Sequence, residues 1–353
     1  MLGAGISGLY CAQKLSEKGI SVSILEKENY IGGLASTIYI NNRFFDKGPH
    51  FITTQNQKIL NEILNLFSKD ELLQFKRRAK ILFCDRYLNY PLTAKNVLFQ
   101  LSLKHCIKFL LSYINTYLKR IFRKKEEDNF EDWAINNFSY YLYSIFFKPY
   151  TEQFWLIPCN ELSIDCIPLV TKMSFLKTLK MLFFKKFSKK SLSICERETV
   201  LPLYYPKRGI GELPKKIYEK VLQNGGKILL NCDITRITKA NDKWEIEYKN
   251  NNELKNIQCD YLVSTIPIFD LIEYFQNIKS EEIIEALNKL GYLSLIVVNI
   301  IIKNNRTFDW SYLYTINRIY KRISNIKDFS PFACSSNENI LALEITCNFN
   351  DNI

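Results

Sequence analysis

The sequence predicts an α/β chain: a βαβ-type domain, split by an inserted helical subdomain and followed by a second, mixed or antiparallel sheet. Three observations predict it. Strand and helix signals alternate around a glycine-rich turn at the start of the chain. After residue 90 the pattern changes to long helical periods, separated by polar or proline-bearing breaks. Beyond Tyr205 short β-branched runs return, and they culminate in the apolar run Tyr292 to Ile302.

Each element follows from local chemistry. Met1-Leu2 reads as a short strand before the glycines, a helix is expected from about Ser7 to Lys18 with Gly19 as its stop, and Ser21 to Glu26 reads as the next strand. Helices are expected over Ala94 to Arg123, Phe130 to Phe147 and Cys166 to Phe187. A further helix, Gly211 to Gln223, ends at Gly225-Gly226. Strand-like runs then follow at Lys227 to Leu230, Ile234 to Ile237, Trp244 to Tyr248 and Tyr261 to Thr265. The last sheet gathers Tyr292 to Ile302 with strands near Tyr312 and Leu341 to Ile345. The expected domains are therefore residues 1–90 with 205–270, a helical subdomain over 91–204, and a substrate-domain sheet over 271–353.

Composition bounds the function. With 353 residues, 47% of them hydrophobic, the chain is too long for one simple core and too apolar for disorder. The net charge of +12 favours anionic partners such as nucleotides, diphosphates or acidic lipid surfaces, and no nucleic-acid partner is expected. Basic clusters at Lys119, Arg120, Arg123, Lys124 and Lys125, and at Lys185, Lys186, Lys189 and Lys190, read first as solvated faces. Ten cysteines without a C-x-x-C pair indicate reduced thiols in a cytoplasmic protein. With only His50 and His105 as histidines, no metal site is expected. The most apolar helical stretch, Val97 to Leu118, carries Lys104, His105 and Lys108 in its middle, which argues against a membrane span.

The chemistry starts at Gly3-Ala4-Gly5-Ile6-Ser7-Gly8, a G-x-G-x-x-G where a strand meets a helix. Gly3 permits the turn, Gly5 lets a pyrophosphate approach the backbone, and Gly8 lets helix pack on strand. The amides at Ile6 and Ser7 then face the phosphates at the positive end of the helix. Glu26 closes the next strand, about twenty residues on, where a carboxylate accepts from ribose hydroxyls. Alone the glycine motif is weak. Here strand, glycines, helix, stop and acid fall in order, as a Rossmann-like domain requires.

The run from Glu26-Lys27 through Gly32-Gly33-Leu34-Ala35-Ser36-Thr37 resembles the E-x-x-x-x-x-G-G-x-x-x-T/S continuation of flavin proteins in the amine oxidase superfamily. The resemblance implies FAD, with Gly32 and Gly33 lying against the pyrophosphate and ribityl chain, Lys27, Leu34 and Ala35 beside it, and Ser36 or Thr37 offering hydroxyl donors. Further segments resemble one branch of that superfamily, which contains UDP-galactopyranose mutases and protoporphyrinogen oxidase-like oxidoreductases. Asp46-Lys47-Gly48-Pro49-His50-Phe51-Ile52-Thr53 is similar to a flavin-facing run, with Thr53 replacing a second histidine. Leu142 to Trp155 matches an L-Y-x-x-F-F-K-x-Y-T-x-x-x-W signature, and Glu161-Leu162 follows it. Tyr205 to Gly211 resembles a Y-P-x-x-G-x-G turn; Ile234 to Ile237 resembles the adenine-contacting strand, and Asp260 to Pro267, including Thr265, the strand and turn after it. Arg318, Arg322 and Phe329-Ser330-Pro331 resemble the R-x-S-x-x-x-x-F-S-P region. The matches cover nearly the whole chain.

The resemblance implies an FAD-dependent oxidoreductase reacting at flavin N5 on a small-molecule substrate. The alternative is a mutase-like isomerase of a nucleotide sugar that uses reduced FAD, and a further alternative is a partial, non-catalytic family member. His50 is the imidazole expected beside the flavin; its plainer role is to fix the turn after Pro49. Trp155 is expected to stack on a substrate ring, with core packing as the plainer role. Arg208, Arg318 and Arg322 are the expected diphosphate ligands. Two departures stand out: the first strand is cut to Met1-Leu2, and the chain ends before the family's last G-R/G-D turn and helix. Both read as truncation, with an open flavin pocket and weak FAD binding expected. An amphipathic basic surface over Ser102 to Arg123 or Lys172 to Lys190 would suit peripheral membrane contact.

Overall fold

The structure is a computed structural model that describes residues 1–83, 85–90, 103–122, 127–165, 201–275, 280–303 and 307–348. The expected helix Cys166 to Phe187, the surface Lys172 to Lys190 and the basic positions Arg123, Lys124, Lys125, Lys185, Lys186, Lys189 and Lys190 lie outside the described residues. The chain forms two compact units: Met1–His50, Lys58–Leu73 and Tyr205–Tyr292 in one, Phe51–Gln57, Gln74–Tyr204 and Leu293–Ile353 in the other.

The first unit is built on a short parallel sheet. Ser23–Leu25 pairs in parallel with Lys227–Leu229, and Leu2 bridges in parallel to both Leu25 and Ser264. Short as it is, the Met1-Leu2 segment is a central strand: the Leu2 amide donates to Val263 O at 2.9 Å and the Gly3 amide to Leu25 O at 2.9 Å. The helix Ile6–Ser16 follows the glycine turn, and Glu212–Gln223 packs beside it. From this sheet the chain runs into an antiparallel meander, Cys232–Ala240, Lys243–Asn250 and Glu253–Cys259. Its two hairpins turn on Asn241-Asp242 and Asn251-Asn252, all four at positive φ, where short Asn and Asp side chains tolerate the left-handed conformation a two-residue turn demands. Leu2, Leu25, Ile234, Ile237 and Ile246 close one core between sheet and meander.

The second unit holds a six-stranded mixed sheet in the order Leu293–Lys303, Glu338–Asn348, Arg322–Asn325, Tyr312–Thr315, Ala79–Phe83, Arg86–Tyr90. Only the Tyr312–Thr315 and Ala79–Phe83 pair is parallel. Ala79–Phe83 thus pairs with a strand more than two hundred positions away and brings Arg86–Tyr90 into the sheet beside it, whereas local pattern groups both with residues 1–78. Tertiary pairing, invisible to a sliding window, decides the membership. The expected helix Phe130 to Phe147 is three pieces: Phe130–Phe138, then, after a break at Ser139 with φ of +91°, the turn Tyr140–Leu142 and a π-type turn Tyr143–Phe147 that runs into Lys148–Trp155. Asn129 caps the first piece, its Oδ1 accepting from the Asp132 amide at 3.0 Å. Phe130, Trp133, Ala134, Tyr143 and Cys159 form the core there, and Trp155 packs against it. Leu103–Phe122 leaves Ile107, Leu110, Leu111 and Ile114 exposed among the described residues, and no described helix is long and apolar enough to cross a membrane.

Candidate functional site

The first turn behaves as the glycine spacing requires. Gly3 sits at φ of +93°, and a Cβ on Gly8 would lie 2.0 Å from Gly3 O, so close packing of helix on turn excludes any side chain there. Gly5 is different: it has ordinary φ of −68°, and a Cβ would meet nothing within 4 Å. The opening above it is a cradle that a side chain would fill. Gly5 caps Ile6–Ser16 without a side-chain hydrogen bond and no acid occupies the first turn, so the amides of Ile6, Ser7 and Gly8 have no acceptor within the helix. That is the donor set a pyrophosphate takes.

Glu26 stands at the rim. Its Oε2 accepts from the Ala4 amide at 2.6 Å and its Oε1 from the Glu28 amide at 2.9 Å, which ties the acid to the turn and still leaves lone pairs on both oxygens. The second glycine pair lies against the first: the Gly32 amide donates to Ala4 O at 2.8 Å, Gly5 and Gly32 form a bridge, and a Cβ on Gly33 would be 3.5 Å from Gly5 Cα. Leu34 is 79% exposed, Lys27 is exposed, and the Ala35 amide turns back to Gly32 O at 3.0 Å. Thr265 Oγ1 donates to Leu2 O at 2.9 Å and so closes the turn from the next strand. Ile234 is buried in the core opposite Tyr248; only its backbone remains for a ligand. These residues fit a dinucleotide.

The hydroxyl expected of Thr37 is already committed. Thr37 Oγ1 donates to Asp46 Oδ1 at 2.6 Å and accepts from the Gly211 amide at 2.8 Å. Asp46 is 4% exposed and also accepts from Tyr205 Oη at 2.6 Å and the Ile210 amide at 3.2 Å. Burial raises its pKa above the usual carboxylate range, against the pull of those three hydrogen bonds. Nothing in the sequence near Asp46 marks this role, since two of its partners, Tyr205 and Ile210, lie on a distant segment. Gly48 and Pro49 are buried, and exposed His50 turns Nδ1 to Gly48 O at 2.7 Å, which leaves Nε2 as its outward nitrogen. Arg208 lies over the Tyr39 ring at 5.7 Å.

The other expected residues belong to the second unit. Arg322 makes a two-pronged pair with buried Glu344, Nη2 to Oε1 at 2.6 Å and Nε to Oε1 at 2.7 Å. Burial works against its charge, but Glu344 beside it raises its pKa overall. Arg322 also lies 5.1 Å from the Tyr312 ring centre, and Arg77, which sequence reading passed over, lies 5.2 Å from the same ring and donates to Tyr314 Oη. Tyr312 is fully buried, its hydroxyl has no partner among the described residues, and burial raises its pKa. Tyr150 meets Tyr314 edge-on at 6.2 Å. Arg318 is half-exposed, 3.8 Å from Asp85, and its carbonyl accepts from Gln153. Trp155 meets Phe154 edge-on at 5.3 Å against the helical core. The structure therefore gathers Arg77, Arg322, Tyr312 and Tyr314, and leaves Arg318 and Trp155 outside that cluster.

Known proteins supply the context. A 4,4'-diapophytoene desaturase of Methylomonas sp is 25% identical over 264 residues, 66% of this chain and 47% of its own length. A probable UDP-galactopyranose mutase of Klebsiella pneumoniae is 27% identical over 169 residues, 46% of this chain and 42% of its own. Each match thus spans less than half of the relative. Among solved structures, a reduced UDP-galactopyranose mutase matches with a TM-score of 0.83 at 20% identity, covering 99% of this chain and 74% of that one. A putative protoporphyrinogen oxidase from Exiguobacterium sp. 255-15 matches with a TM-score of 0.70 at 13% identity, over 98% and 76%. These two share the fold. Residues 6–311 match the family described as flavin containing amine oxidoreductase, and the chain belongs to that family, whose cofactor is a flavin.

Proposed function

We propose that this chain binds FAD and serves as an FAD-dependent oxidoreductase of a small-molecule substrate in the cytoplasm. The observation that carries the reading is the cradle above Gly5: unclaimed helix amides face it, no side chain fills it, and Glu26 stands at its rim. The amides of Ile6, Ser7 and Gly8 hold the pyrophosphate, and the Glu26 carboxylate accepts from the adenosine ribose. A flavin held this way supplies an electron-accepting centre at N5. His50 Nε2 is assigned a hydrogen bond to the isoalloxazine ring.

A mutase-like isomerisation of a nucleotide sugar is the second reading. It is favoured by the sequence matches to UDP-galactopyranose mutases of Klebsiella pneumoniae and Mycoplasma pneumoniae, the latter 38% identical over 84 residues, 22% of this chain and 20% of its own. One experiment tests both. The purified chain is titrated with FAD, reduced under anaerobic conditions, and then mixed with UDP-galactose. Saturable quenching of flavin fluorescence supports the cofactor assignment, and its absence sinks it. A change in the reduced spectrum on adding the nucleotide sugar selects the mutase; an unchanged spectrum leaves the oxidoreductase.

A further inference from the structure

The first unit contains a second cleft, of about 660 Å³, between the strand Thr37–Ile40 and the start of the helix Glu212–Gln223. None of Gly3, Gly5, Gly8 and Gly33 lines it, so it is not the cradle of the dinucleotide turn. Three tyrosines, Tyr30, Tyr39 and Tyr218, and three cations, Lys47, Arg208 and Lys215, line it against a single carboxylate, Glu212. Lys47 lies 4.2 Å from the Tyr30 ring centre and donates to its hydroxyl, and Arg208 lies over Tyr39. Among the described residues none of the three cations is ion-paired, and Tyr39 Oη lies 3.3 Å from Glu212 Oε1. Tyr39 itself is firmly placed, donating to Arg208 O at 2.7 Å, and burial lifts its pKa to about 12, so it stays neutral.

One more atom points to a ligand. Ser36 lines the cleft at 6% exposure, and its hydroxyl has no partner among the described residues. Buried hydroxyls are nearly always satisfied, and a water-free orphan costs about 1–3 kcal/mol. A cleft of this size with flat aromatic walls, excess positive charge and a spare hydroxyl matches one ligand class: a phosphate monoester carried on a planar ring. Stacking on tyrosine takes the ring, and the cations with Ser36 take the phosphate.

We infer that this cleft is a binding site for an aromatic or nucleoside phosphate, separate from the flavin site. The test uses phenyl phosphate, which carries ring and phosphate but no adenosine for the dinucleotide turn. Titration calorimetry on the full chain should show saturable binding, with inorganic phosphate and phenol each about tenfold weaker or more, since each lacks one half of the recognition. Arg208→Ala and Lys215→Ala, checked to melt as the parent does, should each weaken phenyl phosphate about tenfold. Ser36→Ala should weaken it less. Gly5→Ala, which obstructs the flavin cradle, should leave it unchanged. Loss of phenyl phosphate binding in Gly5→Ala, unchanged binding in the two cation variants, or equal affinity for inorganic phosphate overturns the assignment without touching the flavin reading.

Discussion

Replacing Gly8 and Gly5 by alanine separates fold from cofactor. In a helix interior alanine is favoured over glycine by about 1 kcal/mol, so Gly8→Ala would stabilise the chain if space allowed. Space does not allow it: the new Cβ would stand 2.0 Å from the backbone oxygen of Gly3, where a carbon-oxygen contact needs about 3.3 Å. Turn and helix must part by about 1 Å, and overpacking of that kind costs about 1–3 kcal/mol or more, which outweighs the propensity gain. Gly5→Ala meets no atom within 4 Å and keeps an allowed backbone at φ of −68° and ψ of 174°. Its stability should stay within about 0.5 kcal/mol of the parent. If the proposed FAD site is correct, the methyl group enters the space assigned to the pyrophosphate, and losing one charge-assisted hydrogen bond there costs about 1.5–3 kcal/mol, roughly a 10- to 150-fold loss of FAD affinity. Thermal melts without cofactor and fluorescence titration with FAD read the two effects separately. Unaltered FAD affinity in Gly5→Ala, or a Gly8→Ala protein as stable as the parent, would refute the geometry from which both predictions are drawn.

Further outcomes follow from the buried charges. Arg322→Met strands Glu344 as a buried carboxylate and should destabilise the second unit by about 3–5 kcal/mol in denaturant melts, while adding Glu344→Gln should restore much of the loss. Asp46→Ala removes the acceptor of three hydrogen bonds and should cost about 3 kcal/mol. Because burial raises the Asp46 pKa in the fold, its contribution to stability is full below the unfolded value of 3.8 and declines as pH rises through the folded value. The stability gap between the parent and Asp46→Asn should therefore narrow over that window. Glu71 runs the other way. Its pKa is lowered to about 2, first by the Ser68 amide and then by Lys216, so its contribution is present above the unfolded 4.5 and lost as pH falls towards 2. The pair is solvent-screened, and Lys216→Ala should change stability by less than about 1 kcal/mol.

Sequence alone determined the flavin family and the dinucleotide turn. A glycine turn, a helix start and an acid about twenty residues on are local features whose meaning is set by backbone sterics and the helix dipole, so residues 3–8, 26 and 32–33 stand out as the candidate cofactor site from the sequence itself. Local chemistry also placed the helix Glu212–Gln223 and the long strand Leu293–Lys303 within a residue or two. What pairs with what was decided only in three dimensions. Residues 79–90 join a sheet formed mostly by 293–348, Thr37 turns its hydroxyl to Asp46, and Arg77 rather than Arg318 joins Arg322 among the tyrosines. The physical reason is the same in each case: strand pairing and side-chain hydrogen bonds are bargains between distant segments, and no local period or spacing records which distant partner wins.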